Sequence, residues 1–77
     1  MCLAVPGKVV TTVTNALGIQ MGTVSFGGIS KEICLALLPE VKAGDYVLVH
    51  AGMAINVIDE AEAAATLELL RQLGEHP

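Results

Sequence analysis

The sequence predicts a mainly β fold: a small five-stranded barrel followed by one C-terminal amphipathic α-helix. Three observations predict it. Residues 5–58 break into short apolar runs rich in Val, Ile and Thr, punctuated by Gly, Pro and Asn. Aromatic residues are limited to Phe26 and Tyr46, so the core must be built from Val, Ile, Leu, Met and Ala. After Ile58 the composition shifts to an Ala-, Leu- and Glu-rich segment with a helical apolar period.

The elements follow in order. Lys8–Thr14 (KVVTTVT) is rich in β-branched residues, which suit a pleated surface. The preceding Pro6-Gly7 pair reads as a turn that hinges a short N-terminal arm. Asn15–Gly18 supplies a turn, and Ile19–Phe26 is a second strand in which Gly22 marks a bulge or a close backbone approach. Gly27-Gly28 is a two-residue hairpin signal, because both central turn positions need positive φ. The third strand is Ile29–Leu38, with Ile29, Ile33, Leu35 and Leu37 on one face and Ser30, Glu32 and Cys34 on the other. Pro39 ends it. Asp45–Ala51 is the fourth strand, Gly52 breaks it, and Met53–Ile58 is the fifth.

Asp59 reads as a helix N-cap with Glu62 as the capping-box acid. Ala63, Leu67 and Leu70 form one apolar stripe expected to pack on the barrel, and Gly74 is the helix stop. The chain therefore reads as a single domain over residues 1–77, with the barrel over about 5–58 and the helix over about 59–73. One open sheet of this size cannot hide its edges, so closure into an OB-like barrel is expected, with an SH3-like barrel as the neighbouring solution.

Net charge is −4, from four Lys/Arg against eight Asp/Glu. The cations Lys8, Lys31, Lys42 and Arg71 are dispersed, which disfavours a nucleic-acid backbone as partner. Cys2 and Cys34 form no CxxC pair, and the start lacks the pattern of a signal peptide, so free thiols and a cytoplasmic location are expected. No apolar run reaches the roughly 18–20 residues that a membrane span needs.

Three side chains remain as candidates for chemistry. Cys34 sits in an aliphatic run and is expected in the core, where free cysteine behaves as a small hydrophobe. His50 ends the fourth strand on the face opposite Val47 and Val49. It reads either as a half-buried histidine bonded to a loop carbonyl or as a ligand or proton-transfer group. Cys2 reads either as the first packed residue of an edge strand or as a terminal thiolate. Removal of Met1 would set its thiol beside an α-amino group of pKa about 7.7–8.0, a nearby cation that favours thiolate. One thiol and one imidazole are too few to close a metal site, which takes about three or four protein ligands. The pair fits a carrier that shares its metal better than it fits a catalyst.

The opening MCLAVPGKVV, the segment GDYVLVHAGMAI at Gly44–Ile55 and the acidic helix IDEAEAAATLELL resemble the HypC/HupF family of NiFe-hydrogenase maturation chaperones. The similarity spans nearly the whole chain. The resemblance implies a non-enzymatic assembly factor that works with the HypD scaffold protein and with the precursor of the hydrogenase large subunit. Its cargo would be iron carrying cyanide and carbon monoxide, transiently bound. The family's N-terminal cysteine falls on Cys2 and its histidine on His50, both implied in holding the iron unit with a partner's help. The stretch Cys2, Leu3, Ala4, Val5, Pro6, Gly7 and Lys8 is the implied partner-binding motif. Cys34 matches no functional position of the family. Two other readings compete. An OB-like module for single-stranded nucleic acid would need a basic groove and stacking aromatics, and the chain is poor in both. A thiol enzyme using Cys2 and His50 would need an oxyanion site, and no such loop is recognisable.

Overall fold

The structure is a computed structural model that describes residues 4–73. It contains β1 (Val5–Thr14), β2 (Gln20–Ser25), β3 (Ser30–Cys34), β4 (Tyr46–His50), β5 (Met53–Ile58) and α1 (Glu60–Gln72). The strands close into a barrel in the order β1-β2-β3-β5-β4, with β1 returning to β4. The expected OB-like barrel with a C-terminal helix is therefore what forms. Among the described residues, no helix is long and apolar enough to cross a membrane.

Closure rests on the length of β1. Its first half, Val5–Lys8, pairs antiparallel with β4, and its second half, Lys8–Thr14, pairs with β2. A register shift between Val9 and Thr11 bends the strand between the two partners. At the bend, Val9 N–H donates to the Asp45 carbonyl (2.8 Å) and Gly44 N–H donates to the Val9 carbonyl (2.8 Å). The other seam is thin. β3 and β5 run parallel and meet at one register pair, Cys34↔Met53, where Cys34 N–H also donates to the Gly52 carbonyl at 2.9 Å.

The Pro6-Gly7 hinge is corrected. Both residues lie buried inside β1, which starts at Val5 rather than Lys8. Proline is tolerated there because this part of β1 is paired with β4 alone, so one backbone edge needs no donor. Gly7 is required by packing. A Cβ on it would lie 2.5 Å from Val24 Cγ1 and 2.7 Å from Phe26 Cε1.

The two hairpin turns form as expected. Asn15 Oδ1 accepts from the N–H groups of Leu17 (2.9 Å) and Ile19 (3.0 Å). Gly27 and Gly28 adopt positive φ, and Phe26 N–H donates to the Ile29 carbonyl at 2.7 Å across them. The third strand is shorter than expected. It stops at Cys34, and the chain turns at Leu35, whose carbonyl accepts from Leu38 N–H (2.9 Å). Ile33 and Leu35 are buried, but Ile29 and Leu37 lie beyond the strand's ends and are exposed.

Val9, Val24, Ile33, Leu35, Val41, Val47, Val49 and Ala54 form the core, with Phe26 and Leu38 against it. It is aliphatic, as the composition demands, but Met21 and Met53 are not in it. Cys34 is not in it either: it is half-buried on the outward face, since Ile33 takes the inward position beside it.

The helix starts where its cap requires. Asp59 Oδ1 accepts from Glu62 N–H at 2.7 Å. The stripe packs less than expected. Ala63 is buried and Leu70 half-buried, but Leu67 remains 45% exposed. Gly74, the expected stop, lies outside the described residues; Leu73 N–H closes the helix on the Leu69 carbonyl (3.1 Å).

Two stability predictions follow from these contacts. Gly7→Ala overpacks the barrel against Val24 and Phe26 and should lower urea-unfolding stability by about 1–3 kcal/mol. Asp59→Ala removes the N-cap and should cost about 1 kcal/mol in the same assay, with helical circular dichroism reduced before the barrel melts.

Candidate functional site: the rim around His50

His50 is the last residue of β4. The strand alternates in burial: Val47 and Val49 point into the core, while Tyr46, Leu48 and His50 are half-buried on the outer face. The imidazole thus sits at one end of the barrel, partly supported and partly open. Among the described residues, no hydrogen bond engages its ring.

A tight turn holds it. His50 pairs with Met53, so Ala51-Gly52 is a two-residue loop in which both residues have positive φ (53° and 79°). That is the hairpin geometry whose twist matches the strands. Ala51 is an L-residue in the left-handed region, which costs about 1–2 kcal/mol. The turn therefore stores strain one residue from the imidazole.

β1 brings the N-terminal motif to the same rim. Its first register pair is Val5↔Val49, one step from His50. Cys2 and Leu3 lie outside the described residues. Cys2 stands three residues before Val5, a span of at most about 11 Å even when extended. The rest of the motif divides in two. Pro6 and Gly7 are buried and structural, Ala4 is half-buried, and Val5 and Lys8 are exposed. Lys8 lies across from Tyr46, with Nζ 5.9 Å from the ring centroid.

A groove of about 340 Å³ runs beside the motif. It is lined by Val5–Lys8, Phe26 and Tyr46 from the barrel and by Ala63 and Leu67 from α1. The exposed part of the helix stripe is one wall of it. Sequence periodicity marked Leu67 as apolar but could not show that it borders an open groove rather than packing into the barrel. A larger, more open hollow of about 480 Å³ at Leu37–Val41, Asp45 and Val57 lies toward the other end of β4 and β5 and contains no His or Cys.

Among the described residues, no group of three His, Cys, Asp or Glu side chains is arranged to hold a metal ion. His50 has Cys34 as the second Cys/His side chain on its rim, two strands away through Met53. That neighbour was not expected.

Fold and rim together define a class: a small OB-like barrel with an incomplete donor set beside an N-terminal motif and an apolar groove. The chain belongs to the HupF/HypC family, whose model matches residues 1–70. It is 53% identical over 75 residues to the hydrogenase maturation factor HypC of a Synechocystis strain, covering 96% of this chain and 99% of that protein. It is 44% identical over 75 residues to HypC of Azotobacter chroococcum (97% and 84% covered). It is 40% identical over 77 residues to the hydrogenase maturation factor HybG of Escherichia coli K12 (95% and 92% covered).

Relief of the turn strain gives a test of the rim's construction. Ala51→Gly trades about 1–2 kcal/mol of left-handed strain for about 0.5–1 kcal/mol of backbone entropy. It should raise stability by about 0.5–1 kcal/mol in chemical denaturation while leaving the His50 and Met53 amide shifts close to their original positions.

Proposed function

We propose that this protein is a hydrogenase maturation chaperone rather than an enzyme. It binds the HypD scaffold protein and the precursor of the NiFe-hydrogenase large subunit, and helps assemble and deliver an iron unit bearing cyanide and carbon monoxide. The observation that carries the reading is the family match over residues 1–70, which takes in both Cys2 and His50.

The chemistry of the donors supports it. Iron with three diatomic ligands has few positions left for protein atoms, and thiolate is a suitable soft donor for it. Cys2 Sγ and a ring nitrogen of His50 are the ligands in this reading, and a partner thiolate completes the set. An incomplete protein shell favours release, because ligands can be exchanged one at a time with the receiving protein. The groove between the N-terminal motif and α1 is the partner contact in this reading. It is apolar, adjoins His50 through the Val5↔Val49 pair, and leaves Leu67 uncovered. Such a chaperone acts where the hydrogenase precursor is made, in the cytoplasm.

The test is complementation. In cells making NiFe-hydrogenase, Cys2→Ala and His50→Ala should each drop hydrogenase activity to near that of cells lacking the protein. Melting curves should stay within a few degrees of the parent's. Tagged parent protein should co-purify with HypD and show infrared bands of bound cyanide and carbon monoxide, and both should weaken in the variants. Full maturation by Cys2→Ala would overturn the thiol's role.

A further inference from the structure

The outer face of the barrel carries a row of soft donors, one from each of four neighbouring strands. Met21 on β2 pairs with Cys34 on β3, Cys34 pairs with Met53 on β5, and Met53 pairs with His50 on β4. Directly paired residues project to the same face; in the antiparallel pairs Met21↔Cys34 and His50↔Met53 their Cβ atoms lie about 4.5–5.5 Å apart, and the parallel pair Cys34↔Met53 joins the two. The next residues along these strands are the inward ones: Gly22, Ile33, Ala54 and Val49 are all buried. Alternation therefore turns all four donors outward at one end of the barrel.

The row has chemical order. Cys34 has the shortest side chain, is a free thiol and is half-buried. A methionine flanks it on each side, half-buried Met21 and Met53 at 36% exposure. Methionine has three rotatable side-chain bonds and a polarizable sulfur, so both thioethers can swing over the thiol between them. Neither methionine is in the core, although each sits beside buried core positions, so core packing does not account for them. A thiolate with two thioethers is a donor set that favours Cu(I) over hard, oxygen-preferring ions.

We propose that this row is a binding site for a soft monovalent metal ion, Cu(I). Its ligands are Cys34 Sγ and the Sδ atoms of Met21 and Met53, with the His50 imidazole as neighbouring donor at the end of the row. Binding replaces the S–H bond of Cys34 by a sulfur–metal bond and releases one proton to solvent, with no change of oxidation state. The site uses nothing from the N-terminal arm. It touches the proposed maturation role through His50 alone, and an ion held there would compete for that imidazole.

The test is anaerobic titration with Cu(I) against a chromogenic chelator such as bicinchoninate, in the full chain carrying Cys2→Ala so that Cys34 is the remaining thiol. One equivalent should be withdrawn from the chelator. Adding Cys34→Ser replaces the soft thiolate ligand with a hydroxyl and should weaken binding about tenfold or more. Met21→Leu and Met53→Leu conserve volume and should keep the fold, yet each should weaken binding several-fold. X-ray absorption at the copper edge should report predominantly sulfur scatterers. Unchanged affinity in Cys34→Ser, or in both methionine variants, would overturn the site. Should Cys34→Ser fail to fold by circular dichroism, Cys34→Ala replaces it under the same criteria.

Discussion

The sharing of β1 between two partners governs the molecule. A strand that paired with β2 alone would leave a three-stranded meander with two open edges and a core exposed on one face. By bending at Val9–Thr11 and pairing Val5–Lys8 with β4, β1 closes the cylinder and buries Val9, Val24 and Val47 together. The cost is local crowding where β1 crosses the β2 end, and this explains Gly7, whose missing Cβ leaves room for Val24 and Phe26. The same pairing delivers the N-terminal motif to the end of β4 that bears His50. Barrel closure thus also sets the start of β1 beside the His50 rim.

The sequence made the local parts of this legible. Turn chemistry marked Asn15–Gly18 and Gly27-Gly28, β-branched runs marked the strands, and Asp59 marked the helix start. Alternation correctly set His50 opposite Val47 and Val49. What stayed hidden depends on contacts distant in sequence. Pro6-Gly7 looks like a turn to any local reading, and its place inside a strand follows from β4 lying alongside. Ile29 and Leu37 continue an alternating pattern past the point where tertiary contacts turn the chain. Leu67 lies on a helical stripe between buried Ala63 and half-buried Leu70, yet borders an open groove that the barrel does not fill.

The donor row shows the same boundary in finer detail. A two-residue turn at Gly27-Gly28 sets Met21 opposite Cys34 by counting outward, and the turn at Ala51-Gly52 sets His50 opposite Met53. Those two links are arithmetic on hairpins. The third, Cys34↔Met53, joins strands that run parallel with the whole β3–β4 connection and β4 between them. Only the closed barrel makes that link. An aliphatic setting made Cys34 look like a core residue, whereas the pleat assigns it to the outside.

The rim holds His50 by its local geometry, and this bears on the proposed function. His50 is pinned by a two-residue turn with both φ angles positive and by pairing with Met53. Cys2 stands three residues before the first register pair of β1. In a chaperone of the proposed kind, a fixed imidazole has a physical logic. A fixed imidazole keeps the cargo in register with the barrel and with the groove beside it. In that reading Cys2 supplies a second donor, and a partner's thiolate completes the set. The shallow, incomplete site is in this view the feature selected, and the closed barrel is the frame that lets so few donors suffice.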